Sequence, residues 1–331
     1  MNAPAGTGTA MSFSVDAWDP SYGSSGDGEV DLGQSDATLN LDVELTEDQW
    51  RPLDGPAGMP APQSVLFVDG VRRIDARVWV DDPALPGAAS AGLCASYAAG
   101  VVCCCDGKAH LLATAVRHGT FSTAPQTTDI VTWAATYDAR MSPSVPGTPQ
   151  MTGLSLALQN RLGELEVATA LDARASSTCG AGGADLLVVD GPLRGRSHLP
   201  RIIGFIKSHR TEYLPPALHA LVGRLGPTQR TPVFVIGSSW DRHTWYLRLP
   251  CLPGGPWAGV VRVECSADMA PADAIALADL SQATLCRFAS EEYKDARAPQ
   301  NLYPIAGLER ELRRRLGDQQ LLYRALRQAA A

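Results

Sequence analysis

An α/β fold built on a mixed sheet is what this sequence predicts, and three observations predict it. Two apolar runs, Val65–Val68 and Leu186–Val189, each close on Asp-Gly, which marks a strand that delivers a carboxylate and then turns. More β-like stretches follow Val65 at close spacing, and short connections favour antiparallel pairing. Between the two Asp-Gly strands, Leu154, Leu158, Leu162, Leu165 and Ala168 recur at three- and four-residue steps, the period of an amphipathic helix.

Taken in order, residues 1 to about 40 are rich in Gly, Ser, Ala, Thr and Asp and are expected to form a disordered or loosely docked arm, with Phe13, Val15 and Trp18 as its anchors. Residues 41–331 are expected to form one domain. Val65–Asp69, Ile74–Val80 and Ala98–Cys105 read as strands of a meander, and His110–Val116 reads equally as strand or helix. The Pro-rich stretch Ser142–Gln150 ends that pattern before the helix. A Gly/Ala/Ser loop containing Cys179 leads into the second Asp-Gly strand. Ile202–Lys207, Pro232–Gly237, Trp245–Leu249 and Gly259–Glu264 are β-like, and helical character returns over Asp273–Phe288. The chain closes on a helix after Pro304 with Leu308, Leu312 and Leu316 as its stripe. On it, Glu309/Arg313 and Glu311/Arg315 stand at i,i+4 with the acid first, the favourable order for an exposed face.

Composition narrows the function. With 331 residues, 45% hydrophobic and 19% charged, the chain has the balance of a globular protein, and no run reaches the roughly 20 apolar residues of a membrane span. The N-terminus has no basic and apolar leader pattern, so a cytoplasmic location is expected. Eight cysteines, three of them consecutive at Cys103, Cys104 and Cys105, show no zinc-finger spacing and are expected as small buried hydrophobes. A formal net charge of -7 speaks against gripping nucleic acid by bulk electrostatics, though not against a basic channel.

The acids carry the chemistry. Holding divalent metal for phosphodiester hydrolysis takes several carboxylates converging from different elements, because hard cations prefer oxygen donors. Asp69 and Asp190 are two such donors, and the helix supplies a third from Glu164 or Glu166. On a helical wheel the two glutamates flank the stripe at nearly equal angles, so periodicity leaves both open. Lys207 ends its strand where it would orient water or steady phosphate charge. His198, His209, Arg210 and Tyr213 would offer phosphate contacts or stacking for single-stranded bases, as would Arg72, Arg73, Arg77, Arg194 and Arg196. On a regular strand Arg73 and Arg77 would share a face that Arg72 does not. The polar loop Lys294–Pro304 either shapes a site or caps the last helix.

Four blocks in order make the chain resemble the NurA family of nucleases: Phe67-Val68-Asp69-Gly70, the Glu-bearing helix Arg161–Leu171, Val189-Asp190-Gly191-Pro192-Leu193, and Gly204-Phe205-Ile206-Lys207-Ser208. Leu302-Tyr303-Pro304 agrees with that family's C-terminal tyrosine region. The resemblance implies an RNase H-like fold and a Mn2+- or Mg2+-dependent deoxyribonuclease that processes DNA ends. It also implies a homodimer working with a HerA-type hexameric translocase. Asp69, Asp190 and Glu166, with Glu164 as the alternative third acid, would then be metal ligands, and Lys207 and Tyr303 auxiliary catalytic residues. One departure stands out. The family's last helix carries a histidine after the tyrosine, whereas no histidine follows His243 here and Glu309 and Glu311 occupy that stretch. The alternative expectation is a catalytically degenerate DNA-binding or assembly subunit.

Overall fold

The computed structural model describes residues 35–81, 87–144, 146–176, 185–209, 211–252, 254–291, 293–295 and 297–330; Phe13, Val15, Trp18, Cys179 and Arg210 lie outside them. In chain order the elements are β1 (Thr38–Asn40), β2 (Ser64–Asp81), β3 (Ala89–Cys105), β4 (Lys108–Ser122), β5 (Ile130–Val131), β6 (Thr136–Met141), α1 (Gln150–Ser176), β7 (Asp185–Asp190), β8 (Ile202–Ile206), α2 (Pro216–Gly223), β9 (Phe234–Gly237), β10 (Arg242–Arg248), β11 (Val260–Ser266), α3 (Pro271–Leu285), α4 (Tyr303–Arg315) and α5 (Gln319–Ala329). Contacts divide the chain into two units with interleaved segments. One is drawn from residues up to Met59, from Ile206–Val263 and from Ala267–Leu302; the other from Pro60–Phe205, Glu264–Ser266 and the chain from Tyr303 onward.

The second unit is a mixed sheet in the order β8-β7-β2-β3-β4-β6-β5. β2, β3 and β4 form an antiparallel meander, and β7 and β8 then run parallel to β2. A parallel return needs a long crossover, which α1 supplies between the meander and β7. The expected α/β architecture, a mixed sheet with an antiparallel meander, flanking helices and a C-terminal helix, is therefore present, with α5 following that helix. Alternation along β3 sorts the helices to two faces. Leu93, Ala95 and Tyr97 pack on Leu154, Leu158 and Leu162 of α1. Ala98 and Val102 meet Leu308, Leu312 and Leu316 at the end of α4, while Cys94 meets Leu326 of α5.

Several local expectations change. Val65–Asp69 and Ile74–Val80 are parts of one 18-residue strand, and β3 pairs with it straight through Asp69 and Gly70, so no turn follows the first Asp-Gly. The stretch around His110 is strand. A β-bulge lies between Ile74 and Ala76, adding Asp75 to the count. Arg73 pairs with Ser96 and Arg77 with Leu93, which alternate to opposite faces, so the two arginines do not share a side. Arg72, opposite Tyr97, is the one on the Arg77 face. The helix after Pro304 does not end the chain. It stops at Gly317 (φ +77°), and α5 follows with Asp318 as N-cap, its Oδ1 accepting from Gln320 and Leu321 N–H at 2.8 and 2.9 Å. Both anticipated i,i+4 ion pairs on α4 form, at 2.7 Å each.

The first unit carries β1-β9-β10 and the first residues of β11, with β1 antiparallel to β9 and β9 to β10. Its core gathers Trp50, Leu218, Val222, Phe234, Ile236 and Tyr246. Buried Arg230 ties it together, donating to Glu44 Oε2 at 2.7 Å and to Asp279 Oδ1 at 2.5 Å. Among the described residues no helix is long and apolar enough to cross a membrane.

Candidate metal centre

The parallel pairing of β2 with β7 ends at Val68↔Val189. Asp69 and Asp190 each follow by one residue, so the register sets them side by side on neighbouring strands, roughly 5 Å apart along the pairing direction. Asp69 is buried mid-strand, and its Oδ1 accepts the Gly70 N–H at 2.8 Å. Asp190 ends β7, and there the chain does turn: Gly191 has φ +104°, a value that favours glycine, and donates to Phe205 O at 2.9 Å.

Glu166 enters from α1. The stripe that α1 buries runs through Leu154, Leu158 and Leu162 and continues to Glu166, Ala170 and Ala173, while Ala168 is exposed. Glu166 thus takes a core-facing place that the i+4 series would give to an apolar residue, rather than a flank. It rests against the bare backbone of Gly70, where an added Cβ would overlap Glu166 Oε1 and lie 2.7 Å from Leu162 Cδ1. Arg196 Nη1 meets its Oε2 at 2.5 Å. Burial pushes the Glu166 carboxyl up to about 7; Arg196 opposes the shift, and the charge of Asp190 adds to it. Glu164 points away, exposed and paired with Arg161 at 2.6 Å.

Gly70→Ala is therefore expected to cost about 1–3 kcal/mol, because Leu162 and Glu166 must both give way in a packed layer. Gly153→Ala, on α1 with open space around it, is expected to gain a few tenths to about 1 kcal/mol. Paired denaturant melts check both signs.

One residue absent from the sequence reasoning joins this region. Glu264, fully buried in β11, accepts the Leu193 N–H through Oε1 at 2.7 Å and so fixes the turn that follows Asp190. An added Cβ on Gly204 would stand 3.0 Å from its Cγ. The signal was an acid set among Val260, Val261, Val263 and Cys265, where a strand would bury it.

The remaining candidates are distributed as follows. Arg194 is exposed, and Arg72 is exposed with a bond to Ser155 Oγ at 3.0 Å. Arg73 caps α4, donating to Gly317 O at 2.8 Å and Leu316 O at 3.2 Å, so its role is structural. Tyr303 opens α4 and is exposed. Lys207, His209 and Tyr213 belong to the first unit. There Lys207 Nζ donates to Asn301 Oδ1 at 3.1 Å, and Asn301 in turn donates to Asp295 at 2.9 Å. Tyr213 lies under Arg242 and Arg262, 5.5 and 4.9 Å from its ring centre.

His209 bonds Val260 O at 3.0 Å through Nε2, and its ring packs on Trp257 and Tyr246. Burial lowers its pKa to about 4. The unfolded chain takes up this proton first, near the ordinary pKa of about 6.5. The stabilising contribution is thus complete above that pH and is lost as pH falls toward 4. Melting temperature is expected to drop across this window, and by less in His209→Phe.

No family model and no curated protein matches the chain. A structural similarity is found to the NurA nuclease from Sulfolobus solfataricus, at 10% identity and a TM-score of 0.42, covering 81% of this chain and 84% of that one.

Proposed function

We propose that this chain is a Mn2+- or Mg2+-dependent deoxyribonuclease that processes DNA ends. The observation that carries the reading is the register placing Asp69 and Asp190 side by side, with Glu166 buried within electrostatic reach of Asp190. The donor set suits a hard divalent cation: all oxygens, on rigid elements, with more negative charge than Arg196 balances. Asp69 and Asp190 would hold the ion, which when bound supplies an activated water and neutralises phosphate charge; Glu166, on the α1 face where Gly70 rather than Asp69 opens, would be the third ligand beside Asp190. Glu264 holds the turn that aims Asp190. In this reading Tyr303 contacts the substrate. Arg72, Arg194 and Arg196 guide the DNA. The chain would act as a homodimer with a HerA-type translocase in the cytoplasm.

The Glu166–Arg196 ion pair favours a second reading, a non-catalytic DNA-binding or assembly subunit, because an acid held by arginine is a poorer ligand. Incubating the purified chain with single- and double-stranded DNA, with Mn2+ or Mg2+ and with and without the translocase, separates the two. Metal-dependent cleavage supports the enzyme. Intact DNA in every arm overturns it.

A further inference from the structure

We propose a second, chemically different metal site at the tip of the β3–β4 hairpin, where Cys103, Cys105 and His110 would bind one Zn2+. The hairpin turns through Asp106 and Gly107, with φ +51° and +71°, the two-residue loop that matches strand twist and fixes register. That register pairs Cys105 with Lys108 and Cys103 with His110. Cys103 and Cys105, two residues apart on one strand, point to one face, and His110 opposite Cys103 joins them. Their ligand atoms all lie within 4.8 Å of one another. A tetrahedral zinc with bonds of about 2.0–2.3 Å needs donors roughly 3.5–3.8 Å apart, within reach of small rotamer changes.

The chemistry selects the metal. Two thiolates and an imidazole suit a borderline-soft ion such as Zn2+ and not the Mg2+ or Mn2+ that carboxylates prefer. Cys103 is buried, Cys105 half-buried and His110 exposed, so the site opens to solvent on one side. Three protein donors leave the fourth position for water or an incoming donor. The site is distinct from the acids. Cys103 pairs with Leu66, three residues before Asp69, about 10 Å along the strand. Cys104 supplies an internal control: it turns to the opposite face, against the cluster that contains Val102, where burial pushes its thiol up to about 11.

The test uses the untagged full chain, reduced and stripped of metal, titrated with Co2+ and then Zn2+. One Co2+ per chain with a thiolate charge-transfer band and tetrahedral ligand-field intensity, displaced by one Zn2+, is the expected result. Cys103→Ser, Cys105→Ser and His110→Ala should each weaken Zn2+ binding by about 100-fold or more, since even partners of a ligand cost 10–100-fold. Cys104→Ser should bind like the parent, and circular dichroism verifies that each variant is folded. Absence of stoichiometric Co2+ binding, or parental affinity in the folded Cys103→Ser/Cys105→Ser double variant, overturns the proposal.

Discussion

Asp190→Ala is expected to reduce Mn2+-dependent DNA cleavage by at least about 1,000-fold while the metal-free protein melts at or above the parental temperature. The two halves have one cause. Asp190 adds negative charge next to a buried glutamate, a repulsion that a bound cation would relieve. A transition-state charge left without its metal loses several kcal/mol of stabilisation, which sets the size of the rate effect. Asp69→Ala should match it in rate. Single-turnover cleavage on a labelled oligonucleotide and a thermal melt in chelator measure both halves. Cleavage at parental rate by Asp190→Ala would remove these carboxylates from the chemistry altogether.

Asp75→Ala is expected to be the most damaging single change to the fold of the meander unit, at about 3–5 kcal/mol. Its fully buried carboxylate accepts from Arg73 Nε at 2.8 Å, from Tyr137 OH at 3.0 Å and from the Ser96 hydroxyl, which also meets His118 Nδ1 at 2.8 Å. Removing the acceptor leaves three buried or half-buried donors facing one void, and each loses its compensation for leaving water. Arg73 would keep only the carbonyls of Leu316 and Gly317, so the C-terminal end of α4 should loosen with it. Asp75→Asn, which retains an acceptor, should cost less. Urea midpoints rank the three proteins, and hydrogen exchange over Leu308–Leu316 reads the helix.

Much of this was legible in the chain, because periodicity is a direct image of burial. The leucines of α1 and α4 marked their helices, and alternating or apolar runs marked the strands. The second Asp-Gly was a turn as its residues suggest, with Gly191 at positive φ. The first was not. Gly70 serves a close approach instead, giving room to Glu166 in the middle of a long paired strand, and a dipeptide cannot distinguish these uses. The choice between Glu164 and Glu166 escaped the helical wheel because the true stripe drifts after Leu162, with Ala168 turned to solvent. What no local pattern could supply was register. It sets His110 opposite Cys103, and it lets Glu264 reach a turn more than 70 residues earlier in the chain.

The bulge at Asp75 makes β2 behave like a message with one extra letter. Before it, odd-numbered positions address the layer of α4; after it, even-numbered positions do, as Ala76 does beside Leu326. The strand therefore carries its acid and its helix cap in one frame and the packing of its far half in another. Deleting residue 75 would erase the carboxylate and close the bulge, yet leave Ile74 and Ala76 consecutive opposite Ala95 and Cys94, so Ala76–Asp81 would keep both their partners and their faces.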